Sequence, residues 1–227
     1  MSLSFKNFSG LKYGISEKFD GDLALANNRR IFFERQGIDE QNIVRLDQVH
    51  SAEVVKVDGS HRGKIIPNAD GLVTSDKNFF LTVTVADCFP VYFYNPVLNS
   101  IGLAHSGWRG TVNNIVGETV KVMQGNPDDL IAGIGPGIQA CHFEIKEDVL
   151  EKFAKYPEAV IYRDEKIFIN LPKIITQQLT DAGVKIVNIE NCGECTFCQK
   201  EKYFSFRRDR PKSVQAMIAY IGVAGQS

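Results

Sequence analysis

Three short apolar segments of this 227-residue chain each lead to a side chain that can bind a soft metal or act as a nucleophile. The first segment leads to His50, the second to Cys88 and the third to His105. Short apolar runs rich in β-branched residues and bounded by Gly, Pro or polar residues are typical of buried strands. Two histidines and one cysteine are a usual ligand set for a zinc ion that keeps one position open, and such a zinc activates water. The pattern therefore predicts buried strands with reactive side chains at their ends.

The apolar periodicity changes along the chain between that of a strand and that of a helix, without a strict βαβ rhythm. Extended segments are predicted over Ile43–Val57, Leu81–Val85, Val91–Tyr94, Ile101–Ala104, Leu130–Ile134, Val184–Ile189 and Val214–Val223. Helices are predicted over Asp22–Gln36, Thr111–Met123, Lys146–Lys155 and Asn170–Leu179. This mixture predicts an α+β layered sandwich with a mixed sheet. Because no low-complexity linker divides residues 1–227, we expect a single domain.

Composition and charge exclude several classes of partner. The net charge of −1 gives no strong attraction to nucleic acid or to an anionic membrane. No apolar run reaches the roughly 18 residues that span a bilayer, and Met1–Gly14 lacks the apolar core of a signal peptide. The five cysteines are therefore expected to be reduced thiols in the cytoplasm.

Taken one at a time, the three candidate ligands have ordinary structural interpretations. A lone histidine is usually a hydrogen-bonded structural residue, and a lone cysteine beside an apolar run usually packs as a small hydrophobe. The spacing of His50, Cys88 and His105 matches no local zinc motif. What favours a metal site is that each residue lies in or ends an extended segment. Asp47 or Asp87 could accept a hydrogen bond from a ligand histidine.

The loop from His105 to Gly110 leads into a predicted helix and carries one positively charged side chain, that of Arg109. Its glycines allow backbone amides to approach a ligand closely, and a helix N-terminus favours an anion. Arg109 can hold an oxyanion in bidentate fashion. The alternative is a plain turn in which Arg109 is solvated or stacks on Trp108.

A second group of thiols has the spacing C-x2-C-x2-C, at Cys192, Cys195 and Cys198. This resembles part of an iron–sulfur run, but the usual fourth cysteine followed by proline is absent. A metal here would need Cys141 or His142 to complete the ligand set, so we expect the thiols to be structural or incidental.

The segment Tyr203–Asp209 is first aromatic and then basic. It could line a nucleobase or phosphate pocket, or it could be a strand with a charged end.

Six motifs in this order along the chain resemble the laccase-domain, or YfiH-like, family, which was first labelled polyphenol oxidoreductase and is now linked to purine nucleoside phosphorolysis and adenosine deamination. The motifs are Gln48-Val49-His50, Ala69-Asp70-Gly71, Ala86-Asp87-Cys88-Phe89-Pro90, His105-Ser106-Gly107-Trp108-Arg109-Gly110, Gly135-Pro136-Gly137-Ile138 with Phe143-Glu144, and Cys195-Thr196 with Phe204-Ser205-Phe206-Arg207-Arg208-Asp209.

The resemblance implies a single-domain α/β/β/α sandwich and one zinc ion bound by His50, Cys88 and His105. It also implies that the ligands are purine nucleosides and inorganic phosphate. Two reactions at one site follow from it: phosphorolysis of the nucleoside to base and ribose 1-phosphate, and deamination of adenosine to inosine. For these reactions we expect Arg109 and the loop amides to hold phosphate. Candidate proton carriers are Asp87 and Glu144.

Two departures from the family pattern bear on phosphate or substrate binding. Lys18 stands where the family usually has arginine, and Ser213-Val214-Gln215 stands where it often has Thr-Gly-Arg. If either missing arginine holds phosphate or substrate, phosphorolysis is weaker or narrower in this chain.

Three other functions use the same residues or their neighbours. A cysteine hydrolase would use Cys88 as nucleophile and His105 or His50 as its base. A multicopper oxidase needs many histidines, and the four in this chain argue against copper. A metal-binding or redox protein without enzymatic activity would use the C-x2-C-x2-C thiols. The sequence leaves the preferred nucleoside and the oligomeric state open.

Overall fold

Strands dominate the part of the chain that the computed structural model describes, which is Phe8 and residues 10–224. The strands are β1 (Leu11–Ile15), β2 (Ile43–Leu46), β3 (Val54–Lys56), β4 (Ile65–Ile66), β5 (Gly71–Thr74), β6 (Phe79–Val85), β7 (Phe89–Asn95), β8 (Ser100–Ser106), β9 (Ile131–Ile134), β10 (Glu144–Ile145), β11 (Val160–Arg163), β12 (Lys166–Ile169), β13 (Ile189–Asn191) and β14 (Met217–Val223). The α-helices are α1 (Ala26–Arg35), α2 (Trp108–Val112), α3 (Ile115–Met123), α4 (Glu147–Leu150), α5 (Leu171–Asp181) and α6 (Phe206–Asp209).

The strands form two large mixed sheets and one small antiparallel sheet. The first sheet has five strands in the order β1-β14-β6-β2-β4, and the second has six in the order β13-β9-β7-β8-β5-β3. The third contains β10, β12 and β11. In the six-stranded sheet β7 and β8 are antiparallel, whereas β3 and β5 are parallel. The predicted fold class, a mixed α+β sandwich, is confirmed.

The layers follow from the alternation of side chains along β7, all of whose residues are buried. Val91 and Phe93 point into a core shared with α3 and α5, whereas Tyr92 and Tyr94 point into a core shared with the five-stranded sheet. A strand that is covered on both faces is expected to be apolar throughout rather than alternating. On the far side of the five-stranded sheet, α1 packs on Phe80 and its neighbours. The order is therefore α/β/β/α.

The chain crosses twice from the five-stranded sheet to the six-stranded sheet at one end of the sandwich. Residues 47–53 lead from β2 in the five-stranded sheet to β3 in the six-stranded sheet. Residues 86–88 make the same crossing from β6 to β7. The start of β7 pairs with the end of β8, with Pro90 opposite His105. These connections bring the side chains at the ends of the strands together.

Several predicted elements are interrupted in the structure. The extended segment Ile43–Val57 consists of two short strands, β2 and β3, separated by a bend at His50. The helix predicted over Thr111–Met123 is broken into α2 and α3 by Asn114, whose φ of 64° is left-handed. Asparagine adopts this conformation more readily than most residues.

Other elements begin or end differently. The strand predicted over Val184–Ile189 is wrong, because Ile186–Asn188 form a 3-10 turn and only β13 pairs with β9. The helix cap at Asn170 is confirmed, since its side chain accepts a hydrogen bond from the Lys173 amide at 3.1 Å. Within Phe8 and residues 10–224, none of the helices has both the length and the apolar character needed to cross a membrane.

Candidate metal centre

The three candidate ligands meet at the end of the sandwich where the chain crosses between the two large sheets. One ligand atom from each of His50, Cys88 and His105 lies within 4.8 Å of the others. Cys88 Sγ is 4.0 Å from His50 Nε2, and the two imidazole rings are 4.9 Å apart in an edge-to-face arrangement. The structure thus brings together three residues that are distant in sequence.

A buried carboxylate, that of Asp70, orients this group. Asp70 is fully buried, and its Oδ1 accepts a 2.8 Å hydrogen bond from Nδ1 of His105. This bond leaves Nε2 of His105 as the atom available to a metal, the arrangement expected for a ligand histidine. Asp70 therefore takes the role that the sequence assigned to Asp47 or Asp87, and that assignment is wrong. Asp70 ends the loop before β5, a position that periodicity alone does not mark.

The same carboxylate also fixes the bend that carries His50. The backbone amides of Val49, His50 and Ser51 donate to Asp70 at 3.2, 3.0 and 2.6 Å, and the Ser51 hydroxyl donates at 2.9 Å. His50 has a φ of 60°, which is uncommon for a residue with a side chain. The hydrogen bonds offset the cost of that conformation and point the imidazole toward Cys88.

A glycine permits the close approach of these side chains. A Cβ atom at Gly107 would lie 2.8 Å from Cys88 Sγ and 3.1 Å from Cδ2 of His50. Contacts this short require a neighbouring atom to move, so only glycine fits without displacing the ligands.

The electrostatics of the group favour a thiolate. Burial would raise the pKa of Cys88, but the charge of His105 and hydrogen bonds with both histidines outweigh it and lower the pKa to about 6. Burial would likewise raise the pKa of Asp70, but hydrogen bonds from His105 and Ser51 lower it to about 2. Thiolate is the form of cysteine that binds metals.

The donor set fits a zinc ion. Thiolate and imidazole are its usual ligands, at about 2.0–2.3 Å, and three protein ligands leave a fourth position open. The spacing of the three ligand atoms accords with one ion between them, and Asp70 supplies the outer hydrogen bond. The metal-binding residues predicted from sequence are thus placed where one ion could touch all of them.

The ligands open onto a cavity of about 530 Å³. This volume lies in the range of small-molecule sites, about 300–1,000 Å³. Its walls include aromatic and aliphatic side chains and two arginines, Arg109 and Arg207. A neighbouring cavity of about 880 Å³ shares Trp108, Phe143 and Arg207 with it, and its lining includes six lysine and arginine residues.

The three residues predicted to act in catalysis occupy different positions. Arg109 lines the smaller cavity, and its guanidinium stacks 4.4 Å from the centre of the Trp108 ring. Asp87 lines it too, and its two carboxylate oxygens accept hydrogen bonds from the Thr196 hydroxyl at 2.6 Å and the Arg207 amide at 2.7 Å. Glu144 lines the larger cavity, where it pairs with Lys166 at 3.0 Å.

The segment Tyr203–Asp209 contributes Arg207 to the smaller cavity. Arg207 follows Phe206 in α6, so of the two alternatives the strand with a charged end is wrong and the pocket interpretation fits. Its Nη1 donates to the Glu144 backbone oxygen at 2.8 Å. Lys18, which stands where the family usually has arginine, donates a hydrogen bond to the Lys200 carbonyl oxygen at 3.2 Å.

The fold and the site define a YfiH-like α/β protein with a group of one cysteine and two histidines that could hold a metal ion. The family model described as multi-copper polyphenol oxidoreductase laccase matches residues 2–224. The chain therefore belongs to this laccase-like family.

Named relatives and solved structures agree with that assignment. The purine nucleoside phosphorylase of Haemophilus influenzae is 35% identical over 210 residues, which cover 88% of this chain and 83% of the relative. Purine nucleoside phosphorylase YlmD of Bacillus subtilis is 31% identical over 97% of this chain and 84% of its own length. The crystal structure of YlmD from Geobacillus stearothermophilus superposes with a TM-score of 0.90 at 30% identity, covering 96% of this chain and 93% of that one.

Proposed function

We propose that this chain is a zinc-dependent purine nucleoside phosphorylase, which converts a purine nucleoside and inorganic phosphate into the free base and ribose 1-phosphate. The observation that carries the proposal is the convergence of His50, Cys88 and His105 on a cavity of about 530 Å³. The names of the relatives support the substrate class.

His50, Cys88 and His105 would hold the zinc ion, which when bound supplies Lewis-acid polarisation of a substrate atom. The protein itself supplies walls for the base. Trp108, Phe143 and Phe206 line the cavity, and Phe143 is buried whereas Phe206 is 53% exposed. Flat apolar faces of this kind suit a purine ring.

Two guanidinium groups provide the anion site of the proposal. Arg109 and Arg207 both line the cavity, and a guanidinium binds phosphate in a fixed bidentate geometry. In phosphorolysis a phosphate oxygen forms a bond to C1′ while the bond from C1′ to the purine nitrogen breaks, and the purine leaves with the electron pair. Orientation of the phosphate by the arginines lowers the barrier to this displacement.

The departing purine takes up a proton, and Asp87 and Glu144 remain the candidates for its transfer. Asp87 is better placed because it lines the same cavity as the ligands. It also receives hydrogen bonds from Thr196 and from the Arg207 amide, so it positions Arg207 at the same time. Glu144 would act only from the neighbouring cavity.

A second reaction, hydrolytic deamination of adenosine to inosine and ammonia, is proposed at the same centre. The observation that favours it is the three-residue ligand set, since catalytic zinc sites keep a fourth position for water or substrate. Phosphorolysis and deamination would share the base-binding walls but only phosphorolysis would depend on the arginines.

The rival is a cysteine hydrolase, and one observation favours it. Asp70, His105 and Cys88 stand in the order of an acid, a base and a nucleophile, with the Asp70–His105 bond at 2.8 Å. A hydrolase of this kind needs no metal ion, whereas a metal centre does. The activity of protein from which the metal has been stripped therefore separates the two functions.

The direct test is incubation of the purified protein with adenosine, inosine and guanosine, with and without phosphate, followed by chromatography. The proposal predicts phosphate-dependent formation of base and ribose 1-phosphate, and inosine from adenosine in either condition. Absence of phosphate-dependent cleavage of all three nucleosides by zinc-loaded protein would contradict it. Elemental analysis of the same sample measures zinc and copper together.

A further inference from the structure

We propose that Cys141, His142, Cys195 and Cys198 bind a second metal ion, a structural zinc, separate from the centre at His50. One ligand atom from each of the four residues lies within 4.8 Å of the others. Three thiols and one imidazole are among the usual ligand sets of structural zinc sites. The proposal does not depend on the proposed function.

Four of the six distances between these atoms are close to those of a tetrahedron around one ion. Cys141 Sγ is 3.6 Å from Cys195 Sγ and 3.7 Å from Cys198 Sγ. With zinc–sulfur bonds of about 2.3 Å, two sulfurs of a tetrahedral site stand about 3.8 Å apart. His142 Nδ1 is 3.2 Å from Cys141 Sγ and 3.3 Å from Cys198 Sγ. These two edges lie within a few tenths of an ångström of the expected sulfur–nitrogen separation.

Other uses of the thiols fit this geometry less well. A disulfide needs sulfurs about 2.05 Å apart, and all five cysteines are free. Cysteines that ligate an iron–sulfur cluster bind different iron atoms and so cannot all lie this close together. One small ion in the centre satisfies all four residues at once.

The site has the closed character of a structural centre. Four protein ligands complete a tetrahedron, whereas the centre at His50 offers three. Cys141 and Cys198 are exposed and Cys195 is buried. An ion held here would protect two surface thiols that otherwise face solvent. Cys192, the first cysteine of the C-x2-C-x2-C run, is outside the group, so the motif contributes only two of its three cysteines.

The residues of this group join two segments that are far apart in sequence. Gly137 pairs with Cys195 in an isolated parallel bridge, and the Thr196 amide donates to the Gly137 carbonyl oxygen at 3.2 Å. The His142 ring stacks on Phe197 with the centres 4.0 Å apart. Because Thr196 donates to Asp87, an ion at the four ligands would stabilise one wall of the cavity beside the first centre.

The test is zinc content per chain after purification under reducing conditions, reconstitution with excess zinc and removal of free metal. We expect two equivalents for the wild type and one for Cys198→Ser. We also expect one for Cys88→Ser, none for the double variant, and two for the matched control Cys192→Ser. A zinc content that is the same in folded Cys198→Ser protein as in the wild type, or a disulfide between these cysteines found by mass spectrometry of the reduced preparation, would overturn the proposal.

Cobalt substitution distinguishes the sites without relying on the stability of the Cys198→Ser variant. Three thiolates give cobalt(II) a stronger sulfur-to-metal charge-transfer absorption than one thiolate gives. Cys88→Ser protein loaded with cobalt should therefore keep most of the wild-type absorption, with the bands of a tetrahedral ion. Loss of that absorption in folded Cys88→Ser protein would place all of the metal at the first centre and contradict the second.

Discussion

The carboxylate of Asp70 accepts a 2.8 Å hydrogen bond from Nδ1 of His105. It also accepts hydrogen bonds from the backbone amides of the bend that carries His50. One buried side chain thus positions two of the three ligands of the candidate metal centre. Partners of this kind change metal affinity about 10–100-fold when they are replaced.

Asp70→Asn should weaken zinc binding at the first centre by about that factor. An amide keeps one oxygen acceptor but cannot offer the acceptor capacity or charge that His105 and the Val49–Ser51 amides share. The zinc dissociation constant is measured by competition with a chromophoric chelator, on protein whose fold is checked by circular dichroism. Asp47→Asn, at an exposed position in the same connection, is the matched control and should bind zinc like the wild type. Equal affinity in both variants would remove Asp70 from this role.

Gly107→Ala should displace the ligands by steric contact alone. The new Cβ atom would stand 2.8 Å from Cys88 Sγ, so the sulfur or the loop must shift. We expect zinc occupancy at the first centre and nucleoside turnover to fall together. The control is Gly59→Ala, where the new atom would meet Asp76 Oδ2 at an ordinary 3.5 Å. Full zinc occupancy in Gly107→Ala would show that the close approach is not a requirement.

Much of the site could be predicted from sequence because its ligands stand at the ends of strongly apolar strands. Cys88 follows β6 and His105 lies near the end of β8, so local patterns indicated both positions. The bend at His50 could not be predicted, since it depends on hydrogen bonds to Asp70 twenty residues away. The sequence named Cys141 or His142 as residues that could complete a site with the C-x2-C-x2-C thiols. It could not show that they meet, because the two segments are joined by a distant backbone pairing at Gly137.

Arg109→Ala and Arg207→Ala should each raise the KM for phosphate while leaving zinc content unchanged. A charge-assisted hydrogen bond contributes about 1.5–3 kcal/mol, which corresponds to a change of roughly tenfold or more. The measurement is initial rate against phosphate concentration at saturating inosine. Arg30→Ala, which removes a surface cation on α1 paired with Glu34, is the control. A variant whose phosphate KM matches that of Arg30→Ala has lost no phosphate contact.

Alkaline pH should destabilise the outer layer of the fold through Tyr220. Burial, together with the charge of Asp20, raises the pKa of Tyr220 to about 12 from an ordinary value of 10. Its contribution to stability is therefore fully present below pH 10 and is lost as the pH rises through about 12. By linkage, the two pKa units correspond to at most about 2.7 kcal/mol.

The check is the free energy of urea unfolding between pH 9 and pH 12, where Tyr220→Phe should show a weaker fall with pH than the wild type. Tyr162→Phe, at a position 72% exposed, should follow the wild type. Parallel pH profiles for the wild type and Tyr220→Phe would contradict the assignment.

The central claim, that His50, Cys88 and His105 form a metal centre required for nucleoside turnover, is tested by measuring metal content against phosphorolytic activity. The series comprises wild type, His50→Ala, Cys88→Ser, His105→Ala and the control Cys192→Ser. The account predicts that the three ligand variants lose one zinc equivalent and activity together, whereas Cys192→Ser keeps both. Wild-type protein that stays fully active after zinc is stripped, and that loses activity when Cys88 is alkylated stoichiometrically, would contradict it.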